Sequence, residues 1–364
     1  MLLLRKLIHM LFAALRQPAL IAASLRRRHV ARATPLTPYG NPLPEVVHQV
    51  VNTLKPGRLV IVGDVHGCHS ELMSLLRKLE FDEALDNLAF VGDLVNKGPA
   101  SRQVLASFRT MQALGVRGNH DDNCLQRWRV WHEQGSPLKP GSEWLSELDP
   151  EDVAVLEKLP FTLYLPTYGV LLCHAGLVPS MLHHTTVPEP EAAPSQPQRQ
   201  LVSDLLSRQA LANLVTMRNV VPRPKEDPRP SDDGKVREAT TSAAGEWIGS
   251  PSASEGVAWA PTWPGPLHVF FGHDAKRRLQ LEKFCTGLDT GCVYGGQLTA
   301  AVIPPLTQMT MQSEVARWWA AAATSAATGP PPSVTREALL CELVNVPADK
   351  MWCAPVTKTY KEAA

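Results

Sequence analysis

The feature that most restricts the fold of this chain is a series of short apolar segments, each followed by a turn with acidic, amide or imidazole side chains. The five junctions are Gly63-Asp64-Val65-His66-Gly67, Gly92-Asp93, Gly118-Asn119-His120-Asp121, Cys173-His174-Ala175-Gly176 and Gly272-His273-Asp274. Groups at the carboxyl ends of neighbouring strands meet at one edge of a sheet, so we expect these side chains to lie together. The i, i+2 spacing of Asp64 and His66 lets both face that edge. A lone Asp-x-His is usually part of a turn, whereas five such junctions in order indicate one site.

The segments between the junctions have the hydrophobic periodicity of an α/β protein. Predicted strands cover 58–62, 88–91 and 115–117, and predicted helices cover 69–80, with Ser70 as N-cap, 101–112 and 121–132. Such alternation is typical of a largely parallel sheet covered by helices. A hairpin at 161–165 and 169–173 and further strands at 268–271 and within 285–303 add antiparallel pairing. The predicted fold class is α/β, with two packed mixed β-sheets flanked by helices.

Length and charge exclude several classes of protein. The 364 residues, 44% of them hydrophobic, are enough for one large core. The formal net charge is +1, but residues 1–44 hold seven Lys and Arg and no acid. Subtracting these seven from 36 leaves 29 basic residues against 35 acids, so 45–364 carry about −6 and no overall basic nucleic-acid surface is expected. The seven cysteines form no Cys-x-x-Cys pair, which favours buried thiols over a disulfide framework.

Changes in composition divide the chain into three parts. Residues 1–44 form a basic amphipathic segment, 45–304 the main domain and 305–364 a C-terminal extension. A Pro-rich flexible insertion is predicted around 184–258, because 187–230 contain eight prolines among many Ser, Gln and Glu residues. Within this insertion the periodicity of 201–219 predicts a helix. The extension is predicted to contain an edge strand at 339–346.

The N-terminal segment has the composition of a mitochondrial transit peptide. A helix over 1–17 would place apolar residues on one face and, on the opposite face, Arg5, His9 and Arg16. Uncharged stretches run only from 7 to 15 and from 17 to 25, well below the roughly 20 residues that span a bilayer. Targeting is the favoured interpretation. A helix lying on a membrane surface and an untargeted tail are the alternatives.

The ordered junctions resemble the signature of the PPP and calcineurin-like metallophosphoesterase superfamily. That signature runs GDxHG, GDxVxxG, then GNH followed by Asp or Glu, then two later histidines. The resemblance is strongest to the ApaH-like phosphatases, because the second motif reads Gly92-Asp93-Leu94-Val95-Asn96-Lys97-Gly98-Pro99 and the third ends in Asp121. Residues 268–302 are also similar to that branch. The similarity covers roughly 58–132, 161–183 and 258–303.

The resemblance implies a centre of two divalent metal ions. One ion would be held by Asp64, His66 and Asp93. Asp93 would bridge to a second ion, whose other ligands would be Asn119, His174 and His273. Carboxylates combined with imidazoles suit Mn, Zn or Fe better than Ca. His120 would protonate the leaving oxygen as general acid, and Asp121 is a candidate to orient and charge-stabilise it.

The resemblance also points to substrate-binding residues. Lys97 lies where the family places a phosphate-binding Arg, and Asn96-Lys97 replaces the Asp-Arg pair of eukaryotic protein phosphatases. Asn96 can orient an imidazole but cannot stabilise an imidazolium, and Lys lacks the bidentate fork of Arg. Further candidates, each with a purely structural alternative, are Arg218, Arg277 or Arg278 for a second phosphate, and Tyr294, Trp259 or Trp263 for a pocket wall.

The implied function is a phosphohydrolase that cleaves phosphoanhydride or phosphomonoester bonds with a metal-activated water. Polyphosphate, dinucleoside polyphosphates and capped nucleotides, capped RNA included, are the expected substrates. A protein Ser/Thr phosphatase acting on phosphoproteins is the alternative. A non-catalytic scaffold would usually have lost a metal ligand, and all six are present. An intracellular location is expected, mitochondrial because of the N-terminal segment, with the cytoplasm as the alternative.

The targeting hypothesis predicts that residues 1–40 direct a fluorescent reporter to mitochondria, because an Arg-rich, acid-free amphipathic helix is the signal that import reads. Deleting the same residues should leave catalysis intact in vitro. Microscopy of the fusion beside a mitochondrial dye is the measurement. Diffuse cytosolic fluorescence would contradict the hypothesis.

Overall fold

The structure is a computed structural model that describes residues 35–179, 196–223, 247–324, 327 and 329–355. The chain divides into two compact units, Met1–Leu36 and Thr37–Ala364. Almost all of the first unit, including the predicted targeting helix, lies outside the described residues. Within the described ranges, no helix is both long and apolar enough to cross a membrane.

The second unit alternates strands and helices. Its strands are β1 (His48–Val50), β2 (Leu59–Val62), β3 (Asn87–Phe90), β4 (Leu114–Gly115), β5 (Thr162–Leu165), β6 (Val170–Cys173), β7 (Asn219–Pro222), β8 (Trp247–Ser250), β9 (Val257–Ala258), β10 (His268–Phe271), β11 (Gln280–Leu281), β12 (Cys285–Gly287), β13 (Gln297–Ile303) and β14 (Glu342–Pro347). Its helices are α1 (His69–Lys78), α2 (Ser101–Thr110), α3 (Asn119–Gln134), α4 (Pro150–Lys158), α5 (Gln196–Arg208), α6 (Leu211–Thr216), α7 (Leu306–Gln312) and α8 (Glu314–Ala323).

Two mixed sheets form the centre of this unit. One has six strands in the order β1-β5-β6-β10-β12-β11, and the other has five in the order β14-β13-β2-β3-β4. Strands β2, β3 and β4 are parallel to one another. Strand β13 is antiparallel to β2, and β14 is antiparallel to β13. In the larger sheet β5 and β6 form the predicted hairpin, and β6, β10 and β12 are parallel. The predicted fold class, two packed mixed β-sheets flanked by helices, is confirmed.

Strand β2 shows why the central strands are apolar at every position. Leu59 and Ile61 join a core cluster shared with the six-stranded sheet. Val60 and Val62 join a second cluster that includes the helices on the outer face. All four side chains are fully buried. A strand covered on both faces needs a continuous apolar run, so the sequence here loses the polar alternation of a half-exposed strand.

One predicted helix start and one predicted N-cap differ from the observed ones. Helix α3 begins at Asn119, two residues before the predicted start, because Gly118 is extended and the carboxylate of Asp121 accepts the Gly118 N–H at 2.9 Å. The first turn of α3 therefore carries both Asn119 and His120. Helix α1 begins at His69, as predicted, so Ser70 lies inside the helix and is not its N-cap. The N-cap is Cys68, whose side chain makes no capping hydrogen bond.

The described part of the insertion is ordered, contrary to the prediction of a flexible segment over 184–258. Helices α5 and α6 replace the single helix predicted over 201–219, and β7 forms a three-stranded sheet with β8 and β9. Leu205, Leu214 and Val220 are buried in the core cluster between the sheets. These few apolar residues bury enough surface to order the segment, although the average composition of the insertion is polar. Residues 180–195 and 224–246 lie outside the described residues.

Neither end of the main domain is where the composition placed it. Strand β14 pairs antiparallel with β13 at the edge of the five-stranded sheet, which confirms the predicted edge strand. Trp319 of α8 is buried in the core cluster, so 305–355 complete the domain instead of extending from it. At the other end, 37–44 belong to the second unit. A deletion that removes 1–40 would therefore cut into this unit.

A buried imidazole makes the stability of this fold depend on pH. His268 lies in the core, its ring bonded to Thr286 Oγ1 at 2.9 Å and to the Val334 carbonyl at 3.3 Å. Burial lowers its pKa to about 4. The unfolded chain therefore binds a proton below pH about 6.5 that the folded chain does not bind until about pH 4. The contribution of His268 to the free energy of unfolding is therefore fully present above pH about 6.5 and is lost as the pH falls towards 4.

We predict that His268→Gln removes this part of the pH dependence, because the amide can hydrogen-bond but does not titrate. From the size of the shift, the contribution is about 3 kcal/mol at most. Urea unfolding of both proteins at pH 7.5, 6 and 5 gives the two slopes, and the other titrating groups cancel in their difference. Equal slopes in the two proteins would contradict the prediction.

Candidate metal centre

The predicted ligands lie at strand ends and turns where the backbone is strained. His66, Asp93 and His273 have φ values of 48°, 50° and 71°. Residues other than glycine rarely adopt this left-handed region, and each such residue costs about 1 kcal/mol or more. Strain of this kind persists only where the surrounding packing enforces it, and it concentrates at functional sites.

Two glycines let the turns approach the acids. A Cβ at Gly118 would overlap the carboxylate of Asp93, and a Cβ at Gly272 would overlap that of Asp64. Both glycines precede predicted ligands, Asn119 and His273. Glycine is needed here for close approach of neighbouring chains.

Three histidines are held in a fixed tautomer by backbone carbonyls. His66 Nδ1 donates to Val95 O at 3.2 Å, and His174 Nδ1 donates to Val91 O at 2.9 Å. His273 uses its other nitrogen, Nε2, to donate to Thr216 O at 3.0 Å. In each neutral ring the second nitrogen keeps its lone pair, which is the arrangement found for histidines that bind metals.

Two of those lone pairs, on His174 and His273, converge on another acceptor. His174 Nε2 and His273 Nδ1 both lie 3.0 Å from Asn119 Oδ1, which is itself an acceptor. Burial lowers the pKa of His174, but the adjacent Asp93 carboxylate outweighs this and the pKa is raised. The position therefore attracts positive charge. Acceptors facing acceptors in a buried cluster are stabilised by a cation, so these residues fit a divalent metal ion.

Asp93 lies at the centre of the cluster. Its Oδ2 is 3.4 Å from His66 Nε2, and its Oδ1 is 3.5 Å from His174 Nε2. Donor atoms of Asp64, Asp93 and His174 lie within 4.8 Å of one another, as do those of His66, Asp93 and His120. Asp93 belongs to both groups, which is the position required of a bridging ligand.

Another buried acid, Asp289, lies beside Asp64 and was not among the site residues predicted from the sequence. Burial and the Asp289 carboxylate raise the pKa of Asp64 well above its usual range. Asp289 accepts the Gly291 N–H at 3.0 Å. It follows strand β12 within Gly287-Leu288-Asp289, so the rule that found the other junctions could also have found it.

His120 is positioned by Asn96 at the edge of the cluster. The amide oxygen of Asn96 accepts the Lys97 N–H at 2.9 Å, so its NH2 group faces His120 Nδ1 at 2.8 Å. His120 Nδ1 is then an acceptor, and the ring proton is on Nε2. Burial lowers the pKa of His120 to about 4, although Asp93 opposes this shift. Such a ring is a neutral donor near pH 7.

Asp121 does not have the predicted role beside His120. Its carboxylate accepts backbone N–H groups from Leu94 at 2.9 Å, Val95 at 3.2 Å and Gly118 at 2.9 Å. Burial and the neighbouring Asp93 raise its pKa to about 7. Asp121 thus ties the loop after β3 to the start of α3. Its contacts do not support the prediction that it orients the general acid.

Two predicted substrate-binding residues, Lys97 and Arg218, contact histidines of the cluster. Lys97 Nζ lies 2.9 Å from His66 Nε2 and 5.2 Å from the centre of the Tyr294 ring. Arg218 approaches the His273 carbonyl at 3.5 Å and Asp274 at 3.8 Å with a half-buried side chain.

The remaining candidates serve the structure. Arg277 contacts Asp274 and Asn219, and Arg278 donates to Thr290 O at 2.6 Å. Both tryptophans are buried, with Trp259 against Phe271 and Trp263 bonded to Leu267 O. The alternative of a structural role therefore describes these four residues better than a pocket wall or a phosphate contact.

Residues 57–277, more than half of the chain, match the family model of calcineurin-like phosphoesterases. The chain is 29% identical over 262 residues to serine/threonine-protein phosphatase 1 of Salmonella typhimurium, covering 71% of this chain and 98% of that protein. It is 31% identical over 266 residues to the symmetrical bis(5'-nucleosyl)-tetraphosphatase of Vibrio cholerae, covering 66% of this chain and 92% of that protein. A solved structure whose name gives diadenosine tetraphosphatase as a provisional assignment is 26% identical, with a TM-score of 0.54, over 83% of this chain and 98% of that one.

The central position of Asp93 predicts that Asp93→Asn is the most damaging ligand substitution for metal retention, because its carboxylate belongs to both groups of donor atoms. Bound Mn²⁺ should fall from two ions per chain to one or none. Metal content after dialysis is the measurement, and the thermal midpoint without metal checks the fold. Asp349→Asn, at a surface contact with Ser70, is the matched control. Wild-type stoichiometry in Asp93→Asn would contradict the bridging assignment.

Proposed function

The chain belongs to the calcineurin-like phosphoesterase family of metal-dependent phosphatases, and on that basis we propose that it is a dinuclear-metal phosphohydrolase that prefers phosphoanhydride bonds. Polyphosphate, dinucleoside polyphosphates and capped nucleotides are the proposed substrates. The observation that carries the metal part of the proposal is the convergence of histidine lone pairs on Asn119 Oδ1 in a buried, acidic cluster.

Six residues would hold the two ions. The proposed ligands are Asp64, His66, Asp93, Asn119, His174 and His273. Their mixture of carboxylate, amide and imidazole favours Mn, Zn or Fe. Two bound ions would supply an activated water and stabilise charge on the phosphoryl oxygens.

His120 determines which leaving groups the site can accept. In the tautomer that the Asn96 contact favours, its Nε2–H can donate a hydrogen bond to a leaving oxygen. Because Asn96 presents an N–H to Nδ1, the ring gains no help in becoming an imidazolium. A serine alkoxide needs strong proton donation, whereas a terminal phosphate or nucleotide leaves with a low pKa and needs little. The arrangement therefore favours anhydrides.

Lys97 and Arg218 supply positive charge beside two different histidines of the cluster, His66 and His273. The ammonium group of Lys97 lies at His66 and over the Tyr294 ring, so it can bind a phosphoryl oxygen as a point charge. Arg218 lies over the His273 carbonyl, where a second phosphate of a polyphosphate chain would gain a partner. Two separated cationic groups suit a substrate with more than one phosphate.

The relatives support both this substrate class and its alternative. The Vibrio cholerae protein is named as a bis(5'-nucleosyl)-tetraphosphatase, whose substrate contains phosphoanhydride bonds. The Salmonella typhimurium protein is named as a serine/threonine-protein phosphatase, which keeps phosphoproteins as the second candidate. The Asn96 contact with His120 is the observation that favours the first. A non-catalytic scaffold is disfavoured by the complete set of ligands.

The proposal predicts that the Mn²⁺-loaded wild-type protein prefers tripolyphosphate to a phosphoserine peptide in kcat/KM. His120→Ala should depress hydrolysis of the peptide more steeply than that of tripolyphosphate, because the anhydride needs less proton donation. Measuring both substrates in both proteins gives a ratio in which errors of metal loading largely cancel.

Asn96→Asp is the matched variant for the same assay. A carboxylate at this position accepts a hydrogen bond from Nδ1–H and favours the imidazolium, so the preference should move towards the phosphopeptide. If the wild type prefers the phosphopeptide by tenfold, about 1.4 kcal/mol in the transition state, the anhydride proposal fails and the protein-phosphatase alternative replaces it.

A further inference from the structure

The segment of the insertion that carries Arg218 is hydrogen-bonded to the turn around the last proposed ligand, His273. The carbonyl of Thr216, at the end of α6, accepts the ring Nε2–H of His273 at 3.0 Å. Arg218 Nη2 donates back to the His273 carbonyl at 3.5 Å, and its Nη1 donates to the Pro251 carbonyl at 3.2 Å. Two main-chain carbonyls therefore hold the guanidinium of Arg218 beside the ligand turn.

Asp274, the residue after His273, lies between two arginines. Its Oδ2 accepts a hydrogen bond from Arg277 Nη1. Its Oδ1 lies 3.8 Å from Arg218 Nε, a distance that allows electrostatic attraction but is too long for a hydrogen bond. Asp274 is buried, and its Oδ1 has no hydrogen-bond partner among the described residues. The acid is thus bound by Arg277 and only approached by Arg218.

Arg277 is fixed in this position by the strand that follows Arg218. Its Nη2 donates to Asn219 Oδ1 at 2.6 Å, and its Nη1 lies 3.4 Å from the Arg218 carbonyl. Asn219 is buried, and its amide nitrogen donates to the Glu255 carbonyl at 2.6 Å, which sets the direction of its oxygen. The guanidinium of Arg277 is therefore held between Asp274 and Asn219.

Two cations share one carboxylate here, so the group carries a net positive charge. Because Arg277 makes the hydrogen bond to Asp274, the charge of Arg218 is not taken up by a paired acid. Without Arg277, Asp274 would be a buried charge that lacks its partner, which is strongly unfavourable. The carboxylate would then turn to Arg218, the other cation within reach, and occupy its N–H groups.

We propose that Arg277 is a positioning residue that engages Asp274 in place of Arg218 and so leaves the Arg218 guanidinium available for a substrate phosphate other than the one attacked. This inference rests on the proposed phosphohydrolase site. A substrate with several phosphates would gain the Arg218 contact, whereas a single phosphate held by the metal ions would not. Arg277 itself contacts no substrate and acts through Arg218.

The test is the binding of two probes, measured by calorimetry on the full-length, Mn²⁺-loaded protein. One probe is a triphosphate analogue with imido bridges, which resists hydrolysis, and the other is orthophosphate. The ratio of their dissociation constants reports the contacts beyond the first phosphate. We expect Arg277→Ala to weaken binding of the imido analogue about tenfold more than that of orthophosphate, the effect of losing one hydrogen bond to a charged group. Metal content and thermal midpoints check that the variant is loaded and folded.

Two double variants show whether Arg277 acts through Arg218. In an Arg218→Ala background, Arg277→Ala should not change the ratio further, because the contact is already lost. Adding Asp274→Asn to Arg277→Ala should restore most of the ratio, because the amide has no charge with which to pair Arg218. A further loss in the first variant, or no recovery in the second with its metal content intact, would overturn the inference.

Arg336→Ala is the matched control. Arg336 has a similarly half-buried side chain and donates to the Glu282 carbonyl at 3.1 Å. Glu282 lies before β12, which pairs with the beginning of β10, whereas His273 follows the end of β10. This variant should leave both dissociation constants unchanged.

Equal weakening of the two probes in Arg277→Ala would indicate a general structural role and overturn the inference, and so would an unchanged ratio. If the ratio falls as expected but the wild type does not hydrolyse tripolyphosphate, the proposed function fails while the role of Arg277 in binding stands.

Discussion

The rest of the structure depends on holding acids and hydrogen-bond acceptors together in one buried cluster. Asp93 lies within 3.5 Å of ring nitrogens of both His66 and His174. Its carboxylate also accepts the backbone N–H of His120 at 2.8 Å. Burying such groups without a cation is unfavourable, so the fold has to impose the arrangement. The two sheets do so. Their fully buried central strands end at the cluster, and the apolar layers on both faces of β2 and β3 leave those ends little freedom.

The cost of this arrangement is visible in the backbone. Three proposed ligands have left-handed φ values, and the glycines that precede Asn119 and His273 cannot carry a side chain without overlapping an acid. The histidines are fixed by carbonyls of the main chain at Val91, Val95 and Thr216, so their orientation is as rigid as the strands and helices that carry those carbonyls. A site preorganised in this way can bind metal without first reorganising its ligands.

Segments that look peripheral in the sequence complete this framework. Strand β14, in the C-terminal extension, covers the edge of β13, and the described part of the insertion contributes Thr216 O to the ring of His273. Near the N-terminus, the side chain of Asn41 donates to Asp122 across a separation of 81 residues. Composition gives each of these segments a different character from the central domain. Their packing nevertheless joins them to one unit, because a few buried residues in each are enough to attach it.

The sequence by itself determined the fold class and the five junctions, because each junction is encoded locally by an apolar run, a glycine and a polar residue. The six proposed ligands follow from the family resemblance that these junctions carry. It also indicated Asn96 and Lys97 beside His120. Tertiary structure alone decided the direction in which side chains point. Asp121 is next to His120 in sequence, yet its carboxylate binds amides of Leu94 and Val95 on another loop. Asp289 reaches Asp64 from the end of β12, a different strand. Local pattern places a residue on an element, but the partners that orient its side chain come from other elements, and only folding brings these together.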